Sequence, residues 1–162
     1  MRLPVAMPDP SIERLLRKGW KYVASPNAVL RLPSRYASVS EELLGFLASF
    51  EVLCSEDETQ WFVSTADYHR RVEGFNWDAF ERISLEAAEG DSDWQQKITC
   101  FWTSHLPVFM RVGGQYAYAA YCCAGPNAGR YVSGAEPEFE ETSVIGRTLA
   151  ELQTWVLNGT DA

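Results

Sequence analysis

The sequence predicts an α+β fold, a central antiparallel sheet flanked by helices. Three observations carry this. Amphipathic helical segments dominate the first two thirds of the chain, the clearest β pattern (PVFMRV, QYAYAAYCC, GRYVSG) follows residue 106, and a capped helical segment closes it. Helices followed by a meander of strands, without βαβ alternation, indicate antiparallel pairing.

Taken in order, Asp9 stands as an N-cap and Pro10 at the first helical position, with Ile12, Leu15 and Leu16 on one face before Gly19. Residues 20–35 read as extended or loop, punctuated by Pro26, Asn27 and Pro33. SVSEELLGFLASFEVL reads as one helix. Ser38 and Glu41 have capping-box spacing, and Leu43, Phe46, Leu47 and Phe50 recur at helical intervals. An acidic turn, SEDET, leads into a short buried strand, QWFVS, and STADYHR reads as one helical turn opened by Ser64 or Thr65.

Asn76 is placed to cap WDAFERISLEAAEG, with Phe80, Ile83 and Ala87 inward and Gly90 closing. DSDWQQKITCFWTSH starts at Asp91 or Ser92 and sets Trp94, Ile98, Phe101, Trp102 and His105 around a mostly buried face. Pro107 then forces the change to strand. Gly113-Gly114 splits two β-rich runs as a hairpin turn. In the second run Tyr116 and Tyr118 share a face and Tyr121 takes the other. Gly125-Pro126-Asn127 turns the chain again into a strand at Arg130 to Val132. After the acidic run EPEFEE, Thr148 and Glu151 repeat the capping-box spacing, and Leu149, Leu152, Trp155 and Val156 face the core until Gly159. No repeat or linker interrupts the chain, so residues 1–162 read as one domain.

Charge and composition narrow the function. Twenty-two acidic against 14 basic residues give a net charge of -8, which disfavours nucleic acid and either steers the protein toward a basic partner or only maintains solubility. No apolar run approaches the roughly 18–20 residues of a membrane span. The N-terminus lacks the apolar core of a secretory signal. Cys54, Cys100, Cys122 and Cys123 include no Cys-x-x-Cys pair. They read as reduced, mostly buried thiols of a cytoplasmic protein.

No nucleophile elbow, Walker loop or dinucleotide fingerprint is present. His69 and His105 are far apart, and Cys100 with His105 would not share a helical face. No catalytic residue, metal site or cofactor is therefore expected. Within EPEFEE an extended chain would stack Glu136, Glu138 and Glu140 on one side, a costly arrangement that a cationic partner would relieve. The alternative is a solvated edge whose charges prevent strand aggregation. The SEDET turn is a second acidic candidate. Trp61 and Trp77 lie beside short connections and could line a groove, whereas Trp94, Trp102 and Trp155 suit the core.

LPSRYASVSEELLGFLASF, then LPVFMRVGGQYAYAAY, Gly129, SGAEPEFEE and the closing TLAELQTWV resemble in order and spacing the SUKH superfamily, the Smi/Knr-type domains. The similarity covers residues 28–157, with departures at Phe50-Glu51 and DETQWFVSTADY and inserted helices between Arg70 and His105, as in a divergent bacterial branch. The resemblance implies a central antiparallel sheet flanked by helices. It also implies a non-catalytic, protein-binding role, often that of an immunity protein occluding a cognate toxin. On that reading Trp61, Asp67, Tyr68, Tyr116, Glu136, Glu138, Glu140 and Glu141 form the partner-binding set for a basic toxin domain, in a monomer or weak dimer. Two alternatives stand beside it. One is a general interaction scaffold; the other is an enzyme using the carboxylates of residues 136–141 with His105 or Tyr116.

Overall fold

The computed structural model describes residues 10–25, 31–36, 38–69 and 75–159. The expected roles of Asp9, Pro26 and Asn27 lie outside these residues. Among the described residues, seven strands form one antiparallel sheet in sequence order: β1 (Lys21–Ala24), β2 (Phe50–Cys54), β3 (Gln60–Phe62), β4 (His105–Arg111), β5 (Ala117–Cys122), β6 (Tyr131–Ala135) and β7 (Ser143–Gly146). Helix α1 (Pro10–Arg17) precedes the sheet. Helix α2 (Glu41–Ala48) links β1 to β2, α3 (Ala79–Ala87) and α4 (Ser92–Ser104) link β3 to β4, and α5 (Leu149–Leu157) follows β7. The α+β class with a central antiparallel sheet is what the sequence predicts.

The sheet is larger than expected: β1 lies in the segment that reads as extended or loop, most of β2 in the segment that reads as helix, and β7 in a stretch with no pattern of its own. The second helix stops at Ala48, where Ser49 Oγ donates to the Phe46 carbonyl at 2.6 Å. Phe50 to Cys54 then pair with β1 and β3. Its cap is Ser40, whose hydroxyl accepts from Leu43 N at 3.3 Å, in place of Ser38. Strand β4 begins at His105, two residues before Pro107, and the sheet absorbs the proline at a register shift between Pro107 and Phe109. Such an irregularity is where a strand tolerates a missing N–H. The Gly113-Gly114 turn is as expected, with Gly114 at φ 82°, a conformation that favours glycine.

The two faces of the sheet carry separate aromatic cores. Phe62 and Phe109 are cross-strand partners, and Phe46 of α2 and Trp155 of α5 pack edge-on against them at 5.2 and 5.8 Å. Tyr118 is out of phase with Ala119, the partner of Phe109, so it faces the other way. There it meets Trp102 of α4 at 4.9 Å and Phe80 of α3 at 5.9 Å. Tyr121 pairs with Tyr131 on the first face.

Two helix faces differ from the periodic reading. On α3, Ile83 and Ala87 are exposed, whereas Glu81, Ser84 and Ala88 are buried. The N-cap position belongs to Asp78, and Asn76 contributes its carbonyl to Ala79 N. On α4, Trp94 is 48% exposed and Ile98 and Trp102 alone are fully buried. Leu16 of α1 is also outward. Of STADYHR, Ser64 to His69 are described and form turns in place of a helical turn. Ser64 N donates to Asp67 Oδ2 at 2.9 Å and Asp67 N to Ser64 Oγ at 3.3 Å. Among the described residues no helix is long and apolar enough to cross a membrane.

The caps read from local spacing are in place at Asp91 and Thr148. Thr148 Oγ1 accepts from Glu151 N and donates to the Glu151 carboxylate, both at 3.1 Å. Thr148→Ala should therefore cost about 1 kcal/mol, measured by urea denaturation, with the serine variant near wild type.

Candidate functional site

The acidic run does not extend as a strand; it folds into turns around a buried phenylalanine. Phe139 is 3% exposed and stacks on Phe80 at 4.6 Å with 17° between the rings. Its carbonyl accepts the Tyr118 hydroxyl. Tyr118 reaches it across its register partner Gly134, where a Cβ would lie 2.6 Å from the tyrosine hydroxyl. Only glycine leaves that passage open. The expected ladder of Glu136, Glu138 and Glu140 on one side is thus replaced, because burying Phe139 requires the chain to turn.

The carboxylates consequently have different tasks. Glu136 Oε1 accepts from Tyr116 N at 2.8 Å and secures the end of the β5–β6 ladder, after which the Glu136–Pro137 peptide is cis. Glu140 turns toward α3 and accepts from Ser84 Oγ at 2.9 Å. Burial pushes its carboxyl above the usual range, and the Ser84 hydrogen bond opposes the rise. Glu138 and Glu141 are exposed. Hydrogen bonding to the Glu138 carboxyl, and then its charge, raise the Glu141 carboxyl above its usual range.

Glu136, Glu138 and Glu141 rim a cleft of about 500 Å³. Its other lining includes small residues of β5 to β7, among them Ala117, Ser133 and Ser143, and the half-buried Trp155 of α5. The small side chains leave the space, Trp155 supplies an apolar wall, and the carboxylates supply charge at the mouth. Such a recess suits a cationic side chain with an apolar stem. Trp155 already carries one cation: the Arg111 guanidinium lies 5.5 Å from its ring while bonding Gln60 Oε1 at 2.8 Å.

The other expected contact residues do not join this cleft. Trp61 and Asp67 lie along a second recess beside β2 and β3. Tyr68 is buried, its hydroxyl donating to the Pro107 carbonyl at 2.6 Å, so it is a core residue and offers no surface anchor. Tyr116 is half-buried against Phe75, edge-on at 5.0 Å. In the SEDET turn, Asp57 is occupied by Ser55 and Thr59, whose hydrogen bonds hold its carboxyl below the usual range. Trp155 was assigned to the core from its helical spacing; its position beside the acidic turn depends on how α5 crosses the sheet.

The described histidines and the cysteines sit elsewhere. His105 stacks on Phe101 at 3.8 Å and bonds the Phe101 carbonyl through Nδ1, and burial lowers its proton affinity. His69 is exposed, with Nε2 bonded to the Arg31 carbonyl. Burial pushes the Cys122 and Cys123 thiols up to about 11, away from the thiolate needed for nucleophilic attack. Cys100 is exposed, so not all four cysteines are interior, and all four are free thiols. No protein-family model, curated protein or solved structure matches the chain.

Proposed function

We propose that this protein is a non-catalytic binding domain of the immunity type, which captures a basic toxin domain and occludes it. The observation that carries the reading is the exposed Glu138–Glu141 pair, held at the mouth of a Trp155-walled cleft by the buried Phe139 and the Ser84-bound Glu140. Two carboxylates forced together on an anchored turn repel one another until a proton or a cation arrives. A lysine or arginine of the partner would replace the proton, and its stem would pack on Trp155. Because the turn is already fixed, little ordering cost remains at binding. The net charge of -8 adds long-range steering toward a basic surface.

The test is co-purification with the product of the adjacent gene at low salt, followed by affinity measurements. Tight association that weakens as salt rises is expected. Replacing both Glu138 and Glu141 by glutamine should weaken it about tenfold, mainly through the association rate. The pH dependence has a definite sign. The free Glu141 carboxyl holds its proton more tightly than usual, and cation binding favours the ionised form. Affinity should fall as pH drops through that raised range, and the double glutamine variant should lose this dependence. No complex at low salt would sink the proposal.

A further inference from the structure

The helices cover the sheet unevenly. On the face that carries Tyr118, α3 and α4 deliver Phe80 and Trp102 over β5, and Tyr68 reaches Pro107 of β4. The same face of β1 and β2 presents Val23 and Val52, register partners 47% and 39% exposed. The next row on that face is Cys54 with Trp61, which is out of phase with the oppositely directed Phe62. Together with the turn after β3, Val52, Cys54 and Trp61 line a groove of about 320 Å³.

Among the described residues, the charged ones that line this groove are the carboxylates Glu51, Glu58 and Asp67. Glu51 is the extra residue of a bulge, since Val23 pairs with Val52 but Ala24 pairs with Phe50. Asp67 is held by Ser64 N at 2.9 Å, and Glu58 meets Lys21 at 3.3 Å. An apolar centre inside a charged rim is how interaction surfaces are built, and a rim in which carboxylates outnumber the one paired lysine, Lys21, favours a basic partner. The groove opens on the opposite face of the sheet from the Trp155 cleft, because Trp155 packs on Phe109 and Trp61 points away from it.

We propose that this groove is a second docking surface, which seats a partner-protein segment bearing an apolar side chain flanked by lysine or arginine. The apolar group covers Val23, Val52 and Trp61, and the flanking cations reach Glu51, Glu58 and Asp67. This does not rest on the reading of the cleft, and a partner filling one face leaves the other open.

Isotope-labelled protein at low salt would be titrated with three blocked hexapeptides: Lys-Lys-Leu-Phe-Lys-Lys, Lys-Lys-Ser-Ser-Lys-Lys and Glu-Glu-Leu-Phe-Glu-Glu. The first should shift the backbone amides of Val23, Val52, Cys54 and Trp61, and the others should leave them in place. Replacing Val23 and Val52 together by serine should weaken the first peptide about fivefold. Glu51→Lys, on the exposed bulge, should weaken it about threefold without touching the core. The paired Glu138→Gln and Glu141→Gln changes should leave groove binding unaltered, so failure of the cleft proposal is read separately at residues 136–141. Equal shifts with the serine or the acidic peptide, or no shift at the groove, would overturn the inference.

Discussion

Replacing Phe139 by alanine should destabilise the protein by about 3–5 kcal/mol, the range for deleting a buried aromatic ring. Phe139 is 3% exposed, stacks on Phe80 and lies 6.4 Å from the Tyr118 ring. Its removal leaves a cavity between α3 and the sheet and takes away the only large apolar anchor of the acidic turn. Glu138 and Glu141 would then separate to relieve their repulsion. The loss should appear as a drop in thermal midpoint of roughly 10 °C for a chain of this size. Cleavage of the turn by a glutamate-specific protease should also become faster. Phe139→Leu, which keeps most of the volume, should cost less than half as much. A cost under about 1 kcal/mol for the alanine variant would mean that the turn is held by its hydrogen bonds alone.

Glu81→Ala should cost about 2–4 kcal/mol. The Arg35 guanidinium meets the Glu81 carboxylate through two hydrogen bonds, at 2.6 and 3.3 Å. The side chains are 28% and 9% exposed, respectively. Removing one partner of a buried pair leaves the other charge unsatisfied, which is worth about 3–5 kcal/mol in a dry interior. Partial exposure of Arg35 lets solvent screen part of that penalty, which sets the lower figure. Arg35 also lies 5.2 Å from the Tyr36 ring and 5.9 Å from that of Trp77, so the stranded cation would still occupy its aromatic seat. The double replacement Arg35→Met with Glu81→Leu should recover most of the stability in urea denaturation. A double variant as unstable as the single one would show that the pair shapes the packing of α3 rather than merely neutralising a buried charge.

These two residues mark where sequence reading reached and where it stopped. Phe139 and Glu140 were both visible within an acidic run, and the charge pattern alone suggested a ladder of glutamates. The ladder is absent because one aromatic ring outweighs it: burial of Phe139 against Phe80 gains more than an extended solvated strand would. Nothing local marks Glu81, because a charged residue on an amphipathic helix is ordinarily outward. Its partner lies 46 residues away, beyond any local pattern. Ile83 and Ala87 were placed inward by the same periodicity that Glu81 and Ser84 displace.

The sequence alone determined what depends on neighbours in the chain. The caps at Asp91 and Thr148, the hairpin at Gly113-Gly114 and the helix end at Gly159 rest on contacts within a few residues, and all are in place. The α+β class followed from the order of those elements, and the acidic balance from composition. Only the tertiary structure decided which segments joined the sheet and which carboxylates remained available. Phe50 to Leu53 fit a helical pattern and became part of β2 because β1 and β3 offered ladder partners. Glu136 and Glu140 were drawn into hydrogen bonds with Tyr116 and Ser84, 20 and 56 residues distant. Glu138 and Glu141 were left at the cleft. Long-range burial and pairing set these outcomes, and their energies exceed the local preferences that a sequence pattern records.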